Sequence, residues 1–132
     1  MPALTQIVTA AAPAPSASYS QAIAWDHLVV TGGQVGADPA TGQLPDAFED
    51  EVSQALRNLM AVLDAAGTGP DRVVKTTCFL TDISTFATFN LIYQEFFSDP
   101  LPARSTIGIA LAGGLRFEIE AWAVRDTPEE AA

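Results

Sequence analysis

A single cysteine, Cys78, and a single histidine, His27, occur in 132 residues. One cysteine excludes an internal disulfide and disfavours a thiolate metal site. One histidine leaves no cluster for zinc or iron. Basic residues are scarce as well: 6 Lys and Arg stand against 16 Asp and Glu, a formal net charge of −10. The few that exist are scattered, whereas phosphate backbones are bound by grouped Lys and Arg, so nucleic-acid binding is disfavoured. A small anion is still an acceptable ligand, because repulsion is screened within about 8 Å at physiological salt and one arginine can govern recognition at close range. No apolar run is long enough to span a bilayer. The opening Met1-Pro2-Ala3-Leu4-Thr5 has neither the basic residue nor the sustained apolar stretch of a secretory signal. These absences lead to the expectation of a cytoplasmic protein with no membrane partner. Phosphate loops of the Walker type, nucleophile elbows and metal-ligand spacings are missing too.

What is present is a globular composition, 48% hydrophobic and 17% charged, and a length that suits one domain over residues 1–132. Leu4 to Thr9 reads as a first strand, followed by an Ala/Pro/Ser-rich loop from Ala10 to Ser20. Ala22–Trp25 and Leu28–Thr31 flank a tight Asp26-His27 turn. Gly32-Gly33-Gln34 lets the backbone approach a ligand or another chain closely. Phe48, Val52, Ala55, Leu56, Leu59, Leu63 and Ala66 recur at helical spacing, with Asp46 and Glu49 resembling a capping box and Gly67 placed just past the end. Val73–Leu80 is a strand. A second helix is expected from about Ser84 to Phe97, capped by Asp82 or Ser84, with an aromatic stripe of Phe86, Phe89, Tyr93, Phe96 and Phe97 that reads as core. Pro100 and Pro102 stop it. Two strands, Arg104–Ala110 and Leu115–Val124, then follow, joined as a hairpin across Gly113-Gly114. The order βββαβαββ predicts an α+β domain in which both helices pack on one face of a six-stranded mixed sheet. Ile107, Ile109, Phe117 and Ile119 leave both faces partly apolar, so the other face is expected to be covered by copies of the same chain.

The polar residues inside these apolar strands are the candidates for chemistry. Arg104 opens a strand after the stiff Pro102-Ala103 and is able to fork onto a carboxylate with two parallel hydrogen bonds. Spacing alone explains it equally well as a rim arginine. Glu118 and Glu120 share a strand face between apolar neighbours. A carboxyl there has a raised pKa and serves as a base or water holder, or else it belongs to a solvated face. Tyr19, in the polar loop, either reaches a ligand or is a surface tyrosine. Asn90 lies on the aromatic helix, either wet or bonded to backbone. Cys78 reads as an inert core thiol and His27 as solvated. If Arg104 and Glu118 act in one site, parity demands an odd loop or a bulge in the last hairpin, or a site shared between subunits.

Taken in order, several segments resemble the reactive intermediate deaminase family (Rid, or YjgF-type). They are Tyr19-Ser20-Gln21-Ala22, Val30-Thr31-Gly32-Gly33-Gln34, Ala65-Ala66-Gly67, Val73-Val74-Lys75-Thr76-Thr77, Asp82-Ile83, Asn90 to Phe97, Pro102-Ala103-Arg104-Ser105 and Glu118-Ile119-Glu120-Ala121. The likeness covers nearly the whole chain. It implies a chorismate-mutase-like homotrimer whose sheets form a central barrel, with sites in clefts between subunits. It also implies hydrolysis of enamines and imines, such as 2-aminoacrylate and 2-iminopropanoate, to 2-oxo acids and ammonia, without metal or cofactor. Position by position, the resemblance assigns Arg104 to the substrate carboxylate and Glu118 to the attacking water. Tyr19, Gly33, Asn90 and Thr106 would line the pocket. Thr106 stands where many members carry cysteine, so no thiol chemistry is implied there. Gly32 replaces a usual serine, and the Ala110–Gly114 connection lacks a Leu-Pro element and is one residue shorter. A specialised branch acting on another imine, or a regulatory trimer that binds 2-oxo acids without turnover, stays compatible with these departures. The ribonuclease activity ascribed to some relatives is disfavoured by the charge.

Overall fold

The last strand of the chain alternates without interruption, and that alternation organises everything packed around it. A computed structural model describes residues 3–131. In it the strands are β1 (Thr5–Ile7), β2 (Ala22–Trp25), β3 (Leu28–Thr31), β4 (Gln34–Val35), β5 (Val73–Leu80), β6 (Ala103–Gly108) and β7 (Phe117–Val124). The helices are α1 (Phe48–Ala65), α2 (Phe86–Tyr93) and a short terminal α3 (Pro128–Ala131). Along β7, Phe117, Ile119, Ala121 and Ala123 are fully buried under the helices. Glu118, Glu120, Trp122 and Val124 point to the other face, as the two-residue period of a strand requires. The α+β expectation holds, with both long helices on one face.

The sheet runs β1-β2-β3-β7-β5-β6, and the two-residue β4 also pairs with β7. The sheet therefore has one short strand more than the six expected. A larger correction concerns the expected C-terminal hairpin. β6 and β7 are not neighbours, because β5 lies between them. β6 pairs with β5 in parallel, and β7 pairs with β5 antiparallel. The physical reason is the β5-α2-β6 unit: a helix crossing over the sheet returns the chain parallel to the strand it left. Gly113 and Gly114, both at positive φ, then carry the chain from the edge strand across to β7 and do not form a tight hairpin.

Several local expectations hold and others shift. Asp26, at φ 53°, turns β2 into β3. Gly67, at φ 82°, ends α1: its N–H donates to Asp64 O and that of Thr68 to Leu63 O, a Schellman closure. The expected capping box is absent. Ala47 occupies the cap with no side-chain bond, and the carbonyl of Asp46 instead accepts from the Arg116 side chain. The second helix is shorter than expected. A 3₁₀ turn at Ile83–Thr85, capped by Asp82 Oδ1 accepting from Ser84 N, precedes it. Beyond Tyr93 the bonds tighten to three-residue spacing (Glu95 N to Ile92 O, Phe96 N to Tyr93 O), which swings Phe97 back into the core.

One feature escaped the sequence reading altogether. Glu51, in the first turn of α1, is fully buried. Its carboxylate accepts from Arg116 Nε at 2.7 Å and from the Arg116 backbone N–H at 2.8 Å. Arg116 Nη2 also donates to Pro45 O and Asp46 O. The pair thereby ties the start of α1 to the entry of β7. Its two members are not equivalent, since Arg116 is partly exposed and Glu51 is not. Removing the arginine strands a buried carboxylate, whereas an arginine left alone rehydrates. Arg116→Ala is expected to cost about 3 kcal/mol, and Glu51→Gln roughly 1–2 kcal/mol. Urea unfolding of both variants reads the difference; equal losses would contradict the asymmetry.

Candidate functional site

The sequence-derived site residues fall into two groups on opposite faces of the sheet. The first is built on α2 and the edge strand. Phe86, Phe89, Asn90 and Tyr93 follow the three- and four-residue spacing of one helix face. Arg104 sits next to Thr76 in the sheet and projects under that face. Its guanidinium carbon lies 4.7 Å from the Tyr93 ring centroid, 5.3 Å from that of Phe89 and 5.4 Å from that of Phe86. Nη1 donates to Asn90 Oδ1 at 2.8 Å. Three ring faces and one amide thus fix a half-buried cation, leaving its other nitrogens without a partner among the described residues. Tyr93 is itself anchored by a 2.8 Å hydroxyl bond to Thr76. Thr106, two residues beyond Arg104, lies on the same strand face. Of the aromatic stripe read as core, Phe89, Tyr93 and Phe97 are buried, Phe96 is partly buried and Phe86 is exposed. The stripe is therefore core only in part and serves also as the arginine cradle; Asn90 bonds a side chain and not a backbone.

The second group lies on the opposite face. Tyr19, Gly33 and Glu118 line a cleft of about 400 Å³, with Ser16, Gly32, Val35 and Leu115. It owes its shape to an irregularity between β3 and β7. Val30 pairs with Trp122, yet Gln34 pairs with Ile119, so the first strand spends one residue more over that interval. The Ala121 N–H that a regular ladder would bind goes to Thr31 Oγ1 at 3.0 Å. The bulge brings Gly33 hard against Glu118, where a Cβ would lie 2.6 Å from the carboxyl carbon, so any side chain at this position would displace the Glu118 carboxyl. Burial first, and then the neighbouring Glu120, raise the Glu118 pKa above its ordinary value. The Tyr19 hydroxyl receives a bond from Ser16 N at 3.2 Å.

Two buried amides, neither of them singled out in the sequence, hold the walls. Gln21 accepts from Thr9 N and donates to Thr9 O and Pro13 O, which pins the Ala/Pro/Ser loop. Asn58, on α1, donates to Val35 O and Ala37 O. Polar residues at otherwise apolar helix or strand positions were the available signal. Cys78 is buried in β5 with its thiol pushed up to about 12, chiefly by burial, in keeping with an inert core residue. His27 is exposed, its Nδ1 beside Arg125 O. Among the described residues no group of acids, Cys and His could hold a metal ion, and no helix is long and apolar enough to cross a membrane.

Arg104 is level with Ala121 through Thr76, and Glu118 is level with Ile107 through Phe79. Parity therefore puts the two candidate side chains on opposite faces, two strand spacings apart, or about 10 Å even before the thickness of the sheet. Within one chain they do not meet. The bulge in the β3–β4 segment changes nothing for Arg104, and the register shift in β5 between Val73 and Lys75 lies before the regular Thr76–Leu80 stretch that relates the two side chains.

The model of the family described as Endoribonuclease L-PSP matches residues 9–125. The chain belongs to that family, the YjgF/Rid family. Among its Rid relatives is the 2-iminobutanoate/2-iminopropanoate deaminase of Rattus norvegicus, 47% identical over 121 residues, spanning 90% of this chain and 88% of that one. Two solved structures share the fold. RidA from an Antarctic Psychrobacter has a TM-score of 0.89 at 37% identity, covering 91% of this chain and 98% of that one. E. coli TdcF with bound serine has a TM-score of 0.88 at 34% identity, covering 92% and 99%.

Because the fold favours protonated Glu118, ionisation there opposes folding. The penalty is absent below the ordinary carboxylate pKa and grows as pH rises through the shifted one. Glu118→Gln is therefore expected to raise the melting temperature at pH 7 and to leave it unchanged near pH 3. Glu120→Gln should lower the Glu118 titration midpoint in a carboxyl NMR titration. A midpoint that does not move would remove Glu120 as a cause.

Proposed function

We propose that this chain is an imine deaminase: it hydrolyses short 2-imino acids and their enamine tautomers to 2-oxo acids and ammonia. The observation that carries the reading is the caged guanidinium of Arg104, in a chain 47% identical to a named 2-iminobutanoate/2-iminopropanoate deaminase. A cation held by three rings and Asn90 loses little freedom on meeting a carboxylate, and its unengaged nitrogens suit a forked pair of hydrogen bonds. Asn90 is a positioning residue in this scheme, and Thr106 borders the same end of the pocket.

Glu118 supplies the base. A carboxylate whose pKa is raised is a stronger base than a solvated one, so it takes a proton from water more readily. It takes a proton from water as the oxygen adds to the imine carbon. That proton passes to the imine nitrogen, and the resulting carbinolamine gives up its hydroxyl proton, through the same carboxylate, to the departing amine, so that ammonia leaves and the C–O bond becomes the carbonyl. Tyr19 and the backbone at Gly33 line the reacting centre. The substrate is already electrophilic, so orientation and one activated water supply the catalysis.

Since Arg104 and Glu118 of one chain face opposite ways, the working site is shared. Arg104 with Asn90 of one subunit meets Tyr19, Gly33 and Glu118 of the next. A head-to-tail contact of this kind closes into a ring, and the reading takes that ring to be a homotrimer with its sheets forming a central barrel. The exposed Trp122, Val124 and Ile107 on the helix-free face are the apolar surface such a ring would cover.

Arg104→Ala is expected to abolish ammonia release from freshly generated 2-iminopropanoate without changing the oligomer. Glu118→Gln should slow turnover at least about a hundredfold while 2-oxo acid binding persists. Mixing the two inactive variants tests the shared site. After co-refolding at equal amounts, about a quarter of sites would hold both native side chains, so activity should reappear. No recovery in verified mixed oligomers would refute sharing.

A further inference from the structure

The cleft of Tyr19, Gly33 and Glu118 does not end at Leu115. Past Val35 and Leu115 it meets a second cavity of about 380 Å³, walled by Pro13, Ala37, Leu44 and Ala112 and by the backbone of Gly42 and Gly113. Ser16, Tyr19, Val35 and Leu115 line both spaces, so the two adjoin. None of the residues around the second cavity is charged. A Cβ built on Gly42 or Gly113 meets nothing within 4 Å, so the walls leave room there. Val35 is the cross-strand partner of Glu118. A molecule whose reacting carbon lies at the Glu118 carboxyl therefore has Val35 beside it, about 5 Å away, and the apolar cavity beyond.

We propose that this cavity is the side-chain pocket of the site, and that it selects 2-imino acids with aliphatic side chains of about three to five carbons. These are longer than the ethyl and methyl groups of iminobutanoate and iminopropanoate. The proposal rests on the deaminase reading for the reaction, though not for the binding preference. Ala112 and Ala37 are the specificity-determining positions, because they stand on separate segments of the wall and carry only a methyl group into it. Asn58 holds Ala37 by its carbonyl, which keeps that wall in place.

Each methylene moved from water into such a cavity raises affinity up to about fourfold. The test uses two series. Dissociation constants are measured by calorimetry for 2-oxopropanoate, 2-oxopentanoate and 2-oxo-4-methylpentanoate. Values of kcat/KM are measured for the imines that an amino-acid oxidase generates from alanine, norvaline and leucine. The native chain should prefer the longer members by about tenfold in both series. Ala112→Phe, at an exposed position that tolerates bulk, and Ala37→Leu should each erase that preference while keeping the three-carbon values within about twofold. Equal affinity along the native series, or an equal loss for every ligand in both variants, overturns the side-chain pocket. Turnover of the alanine imine without any chain-length preference overturns it too, and leaves the deaminase reading standing. Chain-length-dependent binding that the variants erase, without turnover of any imine, supports the pocket and overturns the deaminase reading instead.

Discussion

The alternation of β7 between β3/β4 and β5 is the constraint on which the rest of this molecule depends. Phe117, Ile119, Ala121 and Ala123 fill the space beneath α1 and α2, and a slip of one residue would bury two glutamates and a tryptophan in their place. That cost fixes the register of β7 against both neighbours. It also fixes the face on which Glu118 appears. The strand is paired on both edges, so it has little freedom to adjust. Everything that differs between the two faces, helices on one and an open surface on the other, follows from it.

Irregular segments are secured by polar side chains, because backbone groups that leave a ladder still need partners. Gln21 serves the loop around Thr9 to Pro13, Asn58 the strand end from Val35 to Ala37, and Thr31 the Ala121 N–H freed by the bulge. The Glu51–Arg116 pair does the same for the turn into α1. These four devices surround the cleft that holds Glu118. Its precision therefore comes from buried hydrogen bonds on rigid elements, while its lining beside Tyr19 and Glu118 is supplied by residues with small or apolar side chains.

Much of the fold was legible in the sequence. The apolar spacing of Phe48 to Ala66, the Gly67 stop, the Asp26-His27 turn and the strand at Val73–Leu80 all correspond to observed elements. Local patterns carry that information. What they did not carry was pairing: two strands adjacent in sequence, β6 and β7, looked like a hairpin, and β5 stands between them. Nor did the spacing distinguish a core aromatic from one that also cradles an arginine, since Phe89 and Tyr93 are buried in either case.

By itself the sequence determined the candidate residues and the family. Arg104, Glu118, Tyr19, Gly33 and Asn90 stand out as polar or glycine positions in apolar surroundings, within ordered motifs that cover most of the chain. Only the tertiary structure decided how they are grouped. Arg104 with Asn90 lies on one face, and Glu118 with Tyr19 and Gly33 on the other. The reason is that facing in a sheet is inherited across strands through register, and register is set by long-range pairing to β5. No local pattern in the sequence encodes which strand lies between two others.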